Sequence, residues 1–292
     1  MRTLLISAFL LCATASAVSA QDWQLQQLGA VNDSVFAERC SRAPSGLPDG
    51  CVVRGNGDVR SAWYVAPTTR YAHGILGDAI EAGGLRVELA SGAQTTLSLP
   101  DDQVFEDRTP RLADLDSDGR TEIITIRSST RLGGSVAVYG VRGEALVELG
   151  ATPYIGRSNR WLNIAGIADF TGQGGLQVAF VETPHIGGTL KLAAFHGNAM
   201  QVVAQIGGFS NHGIRSREQR LSAVADVDSD GLMDIILPNA RRDQILAVTF
   251  RPNVLRLAQL PIADTIEQLA NDGQSRRTLV RTRNGSVWQI GW

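Results

Sequence analysis

Two acidic runs of nine residues carry the clearest chemistry in the sequence. One reads Asp-Leu-Asp-Ser-Asp-Gly-Arg-Thr-Glu over residues 114–122, and the other reads Asp-Val-Asp-Ser-Asp-Gly-Leu-Met-Asp over 226–234. Carboxylates at positions one, three, five and nine, with a backbone carbonyl at position seven, can surround one hard cation, because Ca²⁺ binds six to eight oxygen atoms in a flexible shell. The spacing therefore predicts two Ca²⁺ sites.

The predicted ligands are side-chain carboxylates and one main-chain carbonyl in each run. They are Asp114, Asp116, Asp118, the carbonyl of Arg120 and Glu122 in the first run, and Asp226, Asp228, Asp230, the carbonyl of Leu232 and Asp234 in the second. Glycine occupies the sixth position of both runs, where the chain turns sharply. A solvated acidic turn is the alternative, but two runs with one spacing, each followed by Ile-Ile, favour Ca²⁺. An EF-hand does not fit, because it needs a twelve-residue loop between helices.

Both runs resemble the loop of the FG-GAP or VCBS-type repeat, which is the blade unit of integrin-α-like β-propellers. The shared pattern is Asp-x-Asp-x-Asp-Gly-x-x-Asp/Glu followed by an apolar pair, and it covers residues 114–124 and 226–236. The rest of the chain matches weakly. The resemblance implies that each loop joins the first and second strands of a blade and holds Ca²⁺, and that the fold is a β-propeller.

A polar residue followed by glycine, and then by a β-rich stretch, recurs along the chain. The turns are Asn56-Gly57, Asp118-Gly119, Gln173-Gly174, Asp230-Gly231 and Asp272-Gly273. Their spacing of roughly 40 to 60 residues is near the length of propeller blades, so we predict five blades. The run at 169–177 keeps the nine-residue frame but has Thr or Gln where three acids would stand, which predicts the turn without the metal.

The segments between these turns indicate short strands, because their apolar runs are four to eight residues long and no helical period competes. We therefore predict an all-β protein with residues 21–292 forming a single propeller domain. Residues 23–29 look like a fourth strand with no blade before it, and 286–292 like a third strand with none after it. Pairing the two would complete the last blade and remove a sheet edge.

Residues 1–20 have the pattern of a secretory signal peptide, with an apolar run and a small-residue exit at Val-Ser-Ala. Export leaves Cys40 and Cys51, and an even cysteine count in an exported chain predicts a structural disulfide. We expect a periplasmic or extracellular protein.

The balanced net charge of the chain bears on whether nucleic acid is a partner. The chain has 27 Lys and Arg against 29 Asp and Glu, a net charge of -2, which argues against nucleic-acid binding. After the signal peptide no apolar run is long enough to span a membrane. We expect a monomer.

If the acidic loops occupy one side of the blades, the links between blades lie on the other side. The links contain His73, His185 and His212, which would therefore lie together on that side. His196 falls on the side of the acidic loops. Loops on a rigid scaffold often carry binding residues. The candidate ligand-binding residues are Arg160, Trp161, His185, Asn211, His212, Arg217 and Glu218. The plainer interpretation is that these loops are merely polar and that Trp161 caps the core. A three-histidine metal site is a weaker alternative.

These features favour a non-enzymatic binding module for an unknown protein or glycan, with structural Ca²⁺. The alternative is an extracellular carbohydrate-active hydrolase or lyase. Hydrolysis would need two carboxylates across a pocket, for which the candidates are Asp78, Glu81, Glu182, Glu218 and Asp243. No Gly-x-Ser-x-Gly, His-Glu-x-x-His or phosphate-loop motif is present. An adhesion or assembly subunit of a bacterial envelope is a third possibility that the residues do not separate from the first.

Overall fold

The computed structural model describes residues 23–271 and 276–292. The predicted signal peptide and the Asp272-Gly273 turn lie outside these residues. Within them the protein is all-β, as predicted, and its only helical element is a 3₁₀ turn at Asp33–Val35. No helix in the described ranges has the length and apolarity needed to cross a bilayer.

Three antiparallel sheets have four strands each. The first has the spatial order β1 (Gln24–Leu28), β21 (Val287–Gly291), β20 (Arg277–Thr282) and β19 (Ile266–Ala270). The second contains, in order, β11 (Leu162–Ala168), β12 (Gln177–Glu182), β13 (Thr189–Phe195) and β14 (Met200–Gly207). The third contains, in order, β15 (Ala223–Ala225), β16 (Asp234–Pro238), β17 (Gln244–Thr249) and β18 (Leu255–Pro261).

A fourth sheet contains nine strands. They are β2 (Val53–Arg54), β3 (Val59–Thr68), β4 (Glu81–Leu89), β5 (Gln94–Ser98), β6 (Gln103–Phe105), β7 (Arg111–Ala113), β8 (Glu122–Ser129), β9 (Gly133–Arg142) and β10 (Ala145–Ala151). Strands β2–β5 pair in succession, as do β7–β10, and β6 joins the two groups by pairing with both β4 and β8.

The described chain thus forms five successive four-stranded units. Unit one is β2–β5, unit two β7–β10, unit three β11–β14, unit four β15–β18, and unit five β19–β21 with β1. The four predicted polar-glycine turns that are described each lie between the first and second strands of a unit. In unit five, β1 pairs antiparallel with β21, with Leu25 opposite Ile290, so the predicted pairing of the N- and C-terminal strands is present.

The core lies between successive units. Four apolar clusters join unit one to two, two to three, three to four, and four to five. For example, Phe170 and Phe250 meet at a centroid distance of 5.5 Å between units three and four. Because the inner units are covered on both faces, all eight residues of β8 are buried. Burying one large apolar side chain stabilises the fold by roughly 1.5–3 kcal/mol, so these clusters stabilise the contacts between successive units.

Residues 33–51 lie between unit five and unit one. The Arg281 guanidinium of β20 lies 4.2 Å from the centroid of the Phe36 ring, and the Leu47 amide donates a 3.3 Å hydrogen bond to the Tyr64 carbonyl of β3. The predicted Cys40–Cys51 disulfide is present in this segment, which is compatible with an exported protein. Among the described residues, no apolar cluster joins unit five directly to unit one.

Candidate functional site

Three nine-residue loops connect the first and second strands of units two, three and four in the same way. In each, the alanine before the loop lies opposite the ninth loop residue in the antiparallel register. The pairs are Ala113 with Glu122, Ala168 with Gln177, and Ala225 with Asp234. The frame that the sequence predicts is therefore common to the two acidic loops and to the loop that lacks the acids.

The three loops share their backbone conformation at the fourth and sixth positions but not at the seventh, where Gly175 of the middle loop has a φ of 74° and Arg120 and Leu232 have no positive φ. At the fourth position φ is 60° in Ser117, 64° in Gly172 and 64° in Ser229. At the sixth position φ is 85° in Gly119, 86° in Gly174 and 87° in Gly231. These values are left-handed, a region that glycine enters freely and serine enters at some cost. The middle loop keeps the turn with one acid, so the acids are not needed to make it.

A hydrogen bond from the second residue to the ninth side chain closes each loop. The Leu115 amide donates to Glu122 Oε2 at 2.8 Å, the Phe170 amide to Gln177 Oε1 at 2.8 Å, and the Val227 amide to Asp234 Oδ2 at 2.9 Å. A carboxylate oxygen and an amide oxygen both accept this bond at a similar distance, which explains why Gln can replace an acid without changing the turn.

In the first acidic loop, three of the predicted ligands converge. One carboxylate oxygen each from Asp114, Asp116 and Glu122 lies within 4.8 Å of the others. Asp118 is not in this group; its Oδ1 accepts a 2.8 Å hydrogen bond from the amide of Arg120. The Asp114 carboxylate is oriented by the Asp118 and Gly119 amides, at 3.1 and 3.0 Å.

In the second acidic loop, the converging set is Asp226, Asp228 and Asp230. Asp226 Oδ2 accepts the Gly231 amide at 3.1 Å, whereas Asp226 Oδ1 is buried and has no hydrogen-bond partner in the described structure. Asp230 Oδ1 accepts the Leu232 amide at 2.8 Å. An unpaired buried carboxylate oxygen is costly, and a cation bound among these oxygens would remove the cost.

The electrostatics of both loops favour a cation. Burial raises the pKa of Glu122 to about 7, and the neighbouring carboxylates of Asp116, Asp118 and Asp114 add to the rise. Burial likewise raises the pKa of Asp234 to about 7, with Asp228 and Asp230 adding to it. Like charges that repel one another in a partly buried site are stabilised by a divalent ion. The oxygen-only donor sets fit Ca²⁺.

The second candidate region is built around a pair of histidines. His185 Nε2 lies 2.9 Å from His212 Nδ1, and His212 Nε2 lies 2.9 Å from the Ser216 carbonyl. Since a carbonyl only accepts, His212 Nε2 carries the proton and His185 Nε2 donates to His212 Nδ1. Burial lowers the pKa of His185 to about 4 and that of His212 to about 3, so both rings are neutral at pH 7.

Trp161 packs against this pair inside the protein. Its ring is parallel to that of His185, with centroids 6.2 Å apart, and its indole Nε1 donates a 2.9 Å hydrogen bond to the Glu106 carbonyl. Trp161 is 2% exposed, and Asn211 and His212 are fully buried. Asn211 Nδ2 donates to the Asn163 carbonyl at 3.2 Å. These side chains are therefore part of the core and do not face solvent.

The remaining candidates for ligand binding lie at the edge of this cluster. Arg160 Nη1 donates to the carbonyl of Asn159, and Glu218 forms an ion pair with Arg220 at 2.6 Å. The Arg217 side chain is 56% exposed and pairs with Asp78 at 3.0 Å and Asp49 at 3.3 Å. Of the seven predicted residues, Trp161, Asn211 and His212 are thus buried, and the other four are partly or fully exposed.

Two buried glutamates, Glu81 and Glu106, lie next to each other beside this network, although their separation in the sequence gives no sign of it. Glu106 accepts from Ser128 Oγ at 2.5 Å and lies 2.5 Å from His73 Nδ1. Ala82 of β4 is opposite Phe105 of β6, which places Glu81 beside Glu106. The linking strand β6 creates this contact, and no periodic signal in the sequence predicts it.

A large concave space lies elsewhere, on the side of the acidic loops. A cavity of about 970 Å³ runs from Asp116 past Gln173 and His196 to Phe250. His196 is thus on the acidic-loop side, where the sequence places it. A second cavity, of about 680 Å³, is bordered by β2, β7 and β11.

Comparison with known proteins gives little further guidance. No family model matches the sequence, and no curated protein matches it. Among solved structures the chain is similar to the exotype rhamnogalacturonan lyase YesX, with a TM-score of 0.48 and 16% identity. The match covers 88% of this chain and 49% of that chain, so this chain spans about half the length of that structure. Nothing about function follows from a similarity at this level.

Proposed function

We propose that this protein is an exported, calcium-binding β-propeller of five blades, of the FG-GAP or VCBS type, that acts as a binding module. Support for the propeller comes from five four-stranded units packed in series and from the repeated loop between their first and second strands. The blades would be the five units, with β1 completing the last. The disulfide and the sequence of residues 1–20 support export.

The observation that carries the calcium proposal is the convergence of three carboxylates in each acidic loop, together with the unpaired, buried Oδ1 of Asp226. In the first loop Asp114, Asp116 and Glu122 would hold the ion. In the second the ligands would be Asp226, Asp228 and Asp230. The ion would tie the first two strands of a blade together and neutralise their carboxylates.

Calcium would therefore be structural. A ligand that binds only the folded state stabilises it by about 2.7 kcal/mol at one hundred times its Kd. We expect about two Ca²⁺ per chain by elemental analysis and calorimetric titration, and a lower Tm after chelation. Asp116→Asn and Asp228→Asn should each remove one ion, because each takes a charged ligand from one loop.

Asp169→Asn in the middle loop is the matched control. Asp169 Oδ1 accepts the amides of Thr171 and Gly172 at 3.1 and 2.7 Å, and an asparagine oxygen can do the same. This variant should keep both ions. A chain that binds no Ca²⁺ and melts at the same temperature with and without EDTA would contradict the proposal.

The enzyme alternative has no specific observation in its favour. Among the described residues, the cavities of about 970, 740 and 680 Å³ are not lined by the carboxylates considered for hydrolysis, which are Asp78, Glu81, Glu182, Glu218 and Asp243. Glu81 and Glu106 are neighbours but are 2% and 0% exposed. A carboxylate pair that acts on a polysaccharide must reach it, so the binding module is the better proposal.

A further inference from the structure

The cavity of about 680 Å³ is bordered by the first strands of three units. Arg54 belongs to β2, Arg111 to β7, and residues 164–167 to β11, while Ser222 immediately precedes β15. Residues 38–41 of the disulfide-linked segment form another wall. The space therefore lies where the inner edges of units one to four meet, a position at which a ligand contacts several units at once.

The side chains around this cavity carry an excess of positive charge. Its lining includes Arg39, Arg54, Arg111 and Arg220 but only one acid, Glu38. Glu38 is already paired with the buried Arg108 at 3.0 Å. Arg111 pairs with Asp107, and Arg220 with Glu218.

Two of the four arginines have no such partner. Within the described residues, the side chains of Arg39 and Arg54 form no ion pair or hydrogen bond. Both are exposed at the cavity, so their guanidinium groups are available to a ligand that enters it. Guanidinium groups bind carboxylate and phosphate through paired, charge-assisted hydrogen bonds.

The lining of the cavity also contains apolar residues. Ile164, Ala165 and Ile167 of β11 belong to it, so a ligand there would meet apolar side chains as well as guanidinium groups.

We propose that this cavity binds a small ligand that carries an oxyanion on an uncharged body, with Arg39 and Arg54 contacting the oxyanion and the β11 residues of the lining contacting the body. The volume is in the range of small-molecule sites. This inference rests on the proposed function as a binding module and specifies the chemistry of its ligand. It does not depend on the calcium loops.

Matched probes test the oxyanion and its two chemical sources. Benzoate and phenyl phosphate carry a carboxylate and a phosphate on the same ring, and benzamide is the uncharged control. Calorimetric titration of the full chain, in Ca²⁺ and at low salt, should detect binding of at least one anion and at least tenfold weaker binding of benzamide. Whichever of benzoate and phenyl phosphate binds with the lower Kd identifies the charged group of the natural ligand as a carboxylate or a phosphate.

Arg54→Gln and Arg39→Gln should each weaken binding of that anion at least tenfold. Arg60→Gln is the control, because Arg60 is an exposed β3 residue paired with Glu88 and does not line the cavity. Melting curves and Ca²⁺ stoichiometry establish that each variant is folded.

No binding of either anion, equal binding of benzamide, or unchanged affinity in both arginine variants would overturn the inference. If the chain still holds two Ca²⁺ when that happens, the calcium proposal stands and only the ligand assignment fails. If the chain holds no Ca²⁺ but an anion binds through Arg39 and Arg54, the ligand assignment stands and the calcium proposal fails.

Discussion

Glu81 is the residue whose burial is hardest to reconcile with a charge. It is 2% exposed, and in the described structure its carboxyl group has no hydrogen-bond or ion-pair partner. Burial raises the pKa of Glu81 well above its ordinary value, and the adjacent Glu106 and Asp78 carboxylates raise it further. Glu81 is therefore protonated at neutral pH, and its neutral form is the one that the fold accommodates.

Glu81→Gln should consequently stabilise the protein as pH rises. The pKa of Glu81 in the folded state is above its value of about 4.3 in the unfolded chain. The contribution of the wild-type carboxyl group to stability is therefore complete below about pH 4.3 and is lost as the pH rises toward the folded-state pKa. Glutamine has nearly the same shape and never ionises. Guanidinium unfolding at pH 8 should show the variant more stable by on the order of 1–3 kcal/mol, and at pH 4 the difference should vanish. A variant that is less stable at pH 8 would refute the buried neutral carboxyl.

Gly188 has a conformation that other residues cannot adopt at that place. Its φ is 29°, a Cβ would lie 1.5 Å from the Phe209 carbonyl oxygen, and its own carbonyl accepts the Gly208 and Phe209 amides. Gly188→Ala should therefore destabilise the fold by about 2–4 kcal/mol. Gly207→Ala is the control, since nothing lies within 4 Å of its Cβ position. Equal melting temperatures of the two variants would contradict this packing.

At the scale of the element, the middle loop has the frame of the acidic loops without their acids. Its φ values match theirs at the fourth and sixth positions, so if the acidic loops bind Ca²⁺ as proposed, introducing the acids should create a third site. Thr171→Asp, Gln173→Asp and Gln177→Glu together should raise the Ca²⁺ stoichiometry from two to three per chain, measured by elemental analysis. The loop would then have the acid pattern of residues 114–122. A stoichiometry that stays at two would show that the backbone frame is not sufficient.

Sequence patterns predict the strands and loops because both depend on local rules. Alternating apolar residues indicate the hairpins, and glycine at the sixth loop position indicates the left-handed turn. The exposure of a loop residue depends instead on what packs over it. Trp161 and His212 lie in loops or next to them, yet contacts with Glu106 and Ser216 bury them. The pairing of β6 with both β4 and β8, which brings Glu81 to Glu106, is equally non-local.

At the scale of the whole molecule, the two ends of the chain depend on each other. Among the described strands, β1 pairs only with β21, and Trp23 stacks on Trp292 with ring centroids 6.0 Å apart. Deleting residues 21–30 should expose the edge of β21 and lower the Tm by roughly 10 °C, measured by calorimetry against a chain that lacks residues 1–20 alone. If the two chains melt together, β1 does not contribute to the stability of unit five.

Residues 33–51 form the irregular junction between unit five and unit one. Successive units pack on each other through apolar clusters, whereas this junction contacts its two neighbours through Phe36 and Leu47. The Cys40–Cys51 disulfide closes a short loop inside it and is the one disulfide among the described residues. A thiol reductant would therefore act on the described structure at this junction and leave the apolar clusters between the units untouched.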